Sequence, residues 1–122
     1  MKTKDEIISE LDQFTGTEHY YRLNPSLMMT DGVKHMVDEC RTYWLMDVIW
    51  SHLPGVPADE HFLVAKLVVK GIQGVFTLAD DVPPQNYSTE QEIGFTTFPL
   101  DAITLYATRV DHLWVVMLPS EY

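Results

Sequence analysis

An α+β fold is what this sequence predicts: two N-terminal helices, at about residues 4–14 and 31–53, packed on a mainly antiparallel β-sheet formed by the C-terminal half. Three observations predict it. Apolar residues recur at three- and four-residue steps as far as Leu53, and β-rich runs replace them after Pro57. The change of period falls at Pro54-Gly55-Val56-Pro57, where proline cannot continue a helix and glycine supplies the turn. The strand-like runs that follow are joined by short links, which suit antiparallel neighbours. With 122 residues, 46% of them hydrophobic, the chain has the size of a single domain, 1–122, able to bury a core without staples or metals.

Thr3-Lys4-Asp5-Glu6 has the spacing of a capping box, and Ile7, Ile8, Leu11 and Phe14 follow on one face, so the first helix spans 4–14 and stops at Gly16. Residues 20–23 have strand chemistry, Asn24-Pro25-Ser26 is a turn, and 27–29 pair back as a hairpin. Thr30 caps the second helix, along which Val33, Met36, Val37, Cys40, Tyr43, Trp44, Val48 and Ile49 keep helical spacing. Its later half, YWLMDVIW, is apolar almost all round and must be covered on more than one side. Strands are expected at 61–69 and 75–79, with Gly71 and Gly74 bracketing the turn between them. The polar stretch 80–91, DDVPPQNYSTEQ, reads as a loop and 93–98 as the next strand. ITLYAT and LWVVML supply two more, around a bend at 109–112.

A net charge of -10 repels nucleic-acid phosphates and anionic membranes and attracts basic protein surfaces. Direct nucleic-acid binding is therefore not expected. The acids fall in two groups, Asp5, Glu6, Glu10 and Asp12, then Asp80, Asp81, Glu90 and Glu92. On one shared side they would form a negative surface able to occupy a groove built for nucleic acid; as solvated faces they would only keep the chain in solution. The opening MKTKDEIISELDQF has no apolar h-region, and no apolar run is long enough to span a bilayer. A lone Cys40 cannot form an internal bridge and suits a reducing compartment. Together these predict a cytoplasmic protein without membrane contact.

Five histidines invite a metal reading. His35 and Glu39 are four apart on the second helix, and His52, Asp59, Glu60 and His61 surround the Pro-Gly connector. No HExxH, CxxC or HxH pattern occurs, so neither a metal nor a cofactor is expected. Cys40 lies on the apolar face, where a thiol acts as a small hydrophobe, and no serine stands in a GxSxG elbow. Phosphate-cradling glycine motifs are absent as well. Thr15, Thr17, Glu18, His19 and Tyr21 combine hydroxyls, a carboxylate and an imidazole that can line a small pocket; the competing reading is a helix end with its polar groups satisfied locally.

The wording FTGTEHYYR, TDGV, YWLMDVI, FTTFPLDAITLY and MLPSEY resembles, in order and spacing over nearly the whole chain, a family of small bacterial proteins of unknown function carried by plasmids, phages and other mobile elements. The resemblance implies no activity, cofactor or catalytic residue. It implies a setting in which small acidic proteins act by binding. The expectation that follows is a non-enzymatic protein, an acidic inhibitor of a host nucleic-acid-binding defence complex of the anti-CRISPR kind, whose partner presents a basic surface. Two other readings stand beside it: an enzyme binding a small molecule or nucleotide through segment 15–21, and an accessory protein forming a homodimer through an exposed apolar part of the second helix around Trp50.

Overall fold

Helix α1 (Lys4–Leu11) begins at the expected capping box: the Thr3 hydroxyl accepts from the Glu6 N–H, and the Glu6 carboxylate from the Thr3 N–H, both at 3.2 Å. The computed structural model describes residues 2–122. The helix ends three residues before its expected limit. Gln13 and Phe14 turn their N–H groups to the carbonyls of Glu10 and Leu11, and this i to i+3 spacing tightens the chain out of α geometry. Phe14 still packs against the core.

Strands β1 (Tyr20–Asn24) and β2 (Leu27–Thr30) form the expected hairpin. The expected helix 31–53 is two helices, α2 (Asp31–Cys40) and α3 (Tyr43–His52), followed by a 3-10 turn over Leu53–Gly55. Arg41 breaks it by adopting a left-handed conformation (φ 54°), which returns the Thr42 N–H to the Val37 carbonyl at 3.0 Å. Thr42 is buried at the corner and donates its hydroxyl to Met36 Sδ at 3.3 Å. The YWLMDVIW stretch is not covered on all sides as expected: Leu45, Met46 and Ile49 are buried, Trp44 and Val48 are half-buried, and Tyr43 and Trp50 are exposed at 42% and 49%.

The remaining strands are β3 (Phe62–Lys70), β4 (Gln73–Ala79), β5 (Ser88–Ile93), β6 (Ala102–Val110) and β7 (Leu113–Met117), and a 3-10 turn follows at Pro119–Glu121. Seven strands form one sheet in the order β1-β2-β7-β6-β3-β4-β5. The sheet is therefore not confined to the C-terminal half: the N-terminal hairpin joins it through a parallel pairing of β2 with β7, which makes it mixed. A second correction concerns β5, which occupies 88–93, partly inside the expected loop, while 94–101 is irregular. STEQEI hides its strand character because it is an edge. Ser88, Glu90 and Glu92 face solvent and the inward Gln91 is satisfied by His52 at 2.8 Å, so little apolar signal is needed. Gly74, expected beside the turn, is a strand residue paired with Ile93, and the left-handed turn residue is Gly71 (φ 64°).

One face of the sheet is covered. Leu63, Ala65 and Leu67 of β3, Phe76 and Leu78 of β4, Leu105 and Ala107 of β6 and Trp114 and Val116 of β7 are buried with Val33, Met36 and Val37 of α2 and Leu45, Met46 and Ile49 of α3. The other face is open. Val68, Val75 and Val110 point out of it at 38%, 39% and 62% exposure.

Candidate functional site

The motif segments FTGTE, TDGV and LPSEY come together at the N-terminus of α2. Segment 15–21 wraps the Asp31 carboxylate, which accepts from the Glu18 and His19 N–H groups at 2.8 and 3.2 Å and from the Tyr21 hydroxyl at 3.0 Å. The Thr17 hydroxyl accepts from the Asp31 N–H at 2.9 Å and donates to the His19 carbonyl at 2.6 Å. From the other side, Glu121 accepts from the Thr30 hydroxyl at 2.6 Å, the Gly32 N–H at 3.1 Å and the Leu118 N–H at 3.0 Å. Two carboxylates thus satisfy donors at and around a helix start, where the dipole favours negative charge. Gly32 is required by this contact: a β-carbon there would stand 2.5 Å from Glu121 Oε1 and 2.6 Å from Leu118 Cδ1.

The Thr17 and Tyr21 hydroxyls bond within the protein, Glu18 and His19 contribute their backbone N–H groups while their side chains are exposed, and Thr15 is exposed as well. Their arrangement clamps the hairpin to α2. The Glu18 N–H first, then the Tyr21 hydroxyl and the His19 N–H, hold the Asp31 carboxyl below the ordinary aspartate range. A folded-state pKa that is depressed contributes stability present above the unfolded value and lost as pH falls through the folded one. Asp31→Asn is therefore expected to unfold at a lower temperature than the wild type at pH 7. The gap should close progressively below about pH 4, as thermal melts across that range would show.

Four of the eight acids bond within the protein. Glu6 serves the cap of α1, Glu10 bonds Lys2 at 2.7 Å, Asp80 accepts from the Gln85 and Asn86 N–H groups, and Asp81 from the Val82 N–H. Asp5, Asp12, Glu90 and Glu92 have no such side-chain partner among the described residues. Helix α1 lies by the start of β6, where Lys4 bonds Asp101 at 2.7 Å and Ile8, Leu11 and Asp12 border a hollow with Ala102 and Thr104. Glu90 and Glu92 lie on β5, and the outward Lys66 and Lys70 of β3 stand between β6 and that edge.

Among the described residues, metal-type ligands converge at Glu10, His35 and Glu39, whose donor atoms lie within 4.8 Å of one another. Sequence spacing shows the last two; Glu10 comes from α1 and is visible only in three dimensions. The Lys2 ammonium already bridges this cluster, 2.7 Å from Glu10 and 3.4 Å from Glu39, while His35 Nε2 lies 2.8 Å from Glu10. A cation is thus supplied by the chain itself. Near the connector, His52 bonds Gln91 and stacks on Phe76, and Glu60 accepts from the Phe62 N–H. Cys40 is buried, and burial pushes its thiol up to about 11, away from thiolate chemistry.

What the residue patterns did not single out is the open face. Phe62, Tyr106 and Tyr122 meet there edge to face at 5.1 to 5.5 Å between centroids. Beside them, two depressions of about 370 and 550 Å³ follow one another along β3, β4 and β5. Their rows are Val68, Val75 and Glu92, then Lys66, Thr77 and Glu90, then Val64, Ala79 and Ser88, with Val82 and Pro84 at the far end. Among the described residues eleven large hydrophobic side chains remain exposed, and Tyr20, Val68, Val75, Val82, Val110 and Tyr122 stand on or border this face. Ile8, Tyr43 and Trp50 are on the helices. The alternation FLVAKLVVK, with lysines at 66 and 70 in phase with Val64 and Val68, is the signal that could have marked the outward row.

Fold and surface together define a small α+β domain with a helical layer on one face of a mixed sheet and exposed Val68, Val75 and Val110 on the other. The chain belongs to a family of unknown function, DUF6876, whose model matches residues 5–122. It shares its fold with a solved structure described as the crystal structure of the protein of unknown function from Enterococcus faecalis, at 20% identity and a TM-score of 0.52, over 85% of this chain and 98% of that one. A search of the curated proteins finds no match.

Proposed function

We propose that this chain acts by binding another protein, without catalysis, and that the open sheet face is its contact surface. The observation that carries this reading is the concentration of exposed apolar and aromatic side chains on that face, on a molecule whose other sheet face is fully packed. In segment 15–21 the Thr17 and Tyr21 hydroxyls and the Glu18 and His19 backbone N–H groups are engaged in the α2 clamp, which supports a structural role for the segment over a pocket. The resemblance to proteins of mobile elements makes a host defence complex the class of partner to try first. The acids would then steer encounter with a basic surface while the open face makes the contact.

Val75→Arg tests it. The side chain is 39% exposed on the outward side of β4, so the substitution is expected to leave the melting temperature within a few degrees of the wild type. Affinity capture from a bacterial host lysate, with bound proteins identified by mass, is expected to recover a partner with the wild-type chain and to lose it with Val75→Arg. Equal recovery by both would contradict the proposed surface.

A further inference from the structure

We infer that the trough over β3, β4 and β5 receives an amphipathic α-helix of a partner protein, with acidic side chains along one flank and basic side chains along the other. The inference rests on the open-face reading above and specifies its partner. Backbone groups of β4 are engaged on both sides, by β3 and by β5, so the floor offers no free N–H or C=O to an occupant. Whatever binds must satisfy its own backbone, and a helix does. The backbones of the two flanking strands are spaced on the scale of a helix. Lys66 and Glu90 lie in one cross-strand row with Thr77 between them, two strand spacings or about 9.6 Å apart at the backbone. A helix with its side chains measures about 10 Å across.

The two walls carry opposite charge. Lys66 and Lys70 of β3 are exposed and have no salt-bridge partner among the described residues; Glu90 of β5 lies across from Lys66 beyond Thr77, and Glu92 lies across from Val68 beyond Val75. The chain's net charge of -10 would by itself attract a uniformly basic ligand. The trough asks for a mixed one. A second copy fits less well, because two chains of the same net charge repel.

The probes are three designed helical peptides of about 18 residues with the same apolar stripe, flanked by glutamates on one side and lysines on the other, by lysines on both, or by glutamates on both. Exchanging the two flanks of the mixed peptide is no control, since a helix can lie in either direction. Fluorescence anisotropy at low salt is expected to show the mixed peptide binding about tenfold more tightly than either uniform one. The Lys66→Glu, Lys70→Glu double variant should transfer the preference to the all-lysine peptide, and Val75→Arg should abolish binding of all three. Tightest binding of the all-lysine peptide to the wild type would overturn the inference, as would a dimer in sedimentation equilibrium that Val75→Arg dissociates. If no peptide binds while Val75→Arg still abolishes partner capture, the helical occupant is wrong and the open face stands; if Val75→Arg leaves capture intact, both fall.

Discussion

Phe76→Ala is expected to lower the unfolding free energy by about 4 kcal/mol, the largest effect of any single truncation proposed for this chain. Phe76 is fully buried in the middle of β4, pointing into the helical layer, and its ring stacks on His52 at 5.7 Å. His52 in turn bonds Gln91 of β5 at 2.8 Å, so this one side chain links α3, the central part of the sheet and its edge. Removing the ring leaves a cavity that its cross-strand partner Leu67 and the other buried side chains of the core can fill only in part. Against a total stability of about 5 to 15 kcal/mol for a domain of this size, the loss is severe. Chemical denaturation is the measurement, and Phe76→Leu should recover much of the deficit because it restores most of the apolar volume.

Glu121→Ala is expected to cost about 3 kcal/mol, although the residue is nearly the last of the chain and only partly buried. Its carboxylate accepts three hydrogen bonds, from Thr30, Gly32 and Leu118, and its removal leaves donors at the start of α2 without their partner. Hydrogen bonds to a charged acceptor exceed neutral ones, and unpaired donors at a half-buried helix end add to the penalty. A double-mutant cycle with Thr30→Val separates the pair from the rest: the two losses should be clearly less than additive. Additive losses would mean that Glu121 contributes independently of the clamp.

The clamp gives much of the chain's distinctive wording a structural role. FTGTE, TDGV and LPSEY are far apart in sequence and meet around Asp31 and Glu121, so their specificity is that of a joint. The capping box at Thr3, the hairpin around Asn24-Pro25 and the long β3 and β6 strands were legible because local spacing states them directly. The break at Arg41 was not. Apolar steps continue through it from Cys40 to Trp44, and a left-handed arginine has no sequence mark of the kind a glycine gives. The parallel pairing of β2 with β7 is a long-range contact between short strands, which periodicity cannot express. Strand β5 was hidden by its own edge position, where Glu90 and Glu92 look like loop residues.

The site was harder still to read. Net charge pointed to the acids, yet four of the eight hold local structural bonds, and the lysines between the two groups belong to the more distinctive surface. Whether a strand face is bare depends on how many layers the fold has, and a sequence alternating FLVAKLVVK is compatible with either.

The most direct test of the open-face account is carbene footprinting of the chain alone and in complex with its captured partner. Labelling is expected to fall on the peptides carrying Val68, Val75 and Tyr106 and to stay unchanged on those carrying Ile8, Tyr43 and Trp50. Protection of the helical peptides, with the sheet face labelled as in the free chain, would contradict it.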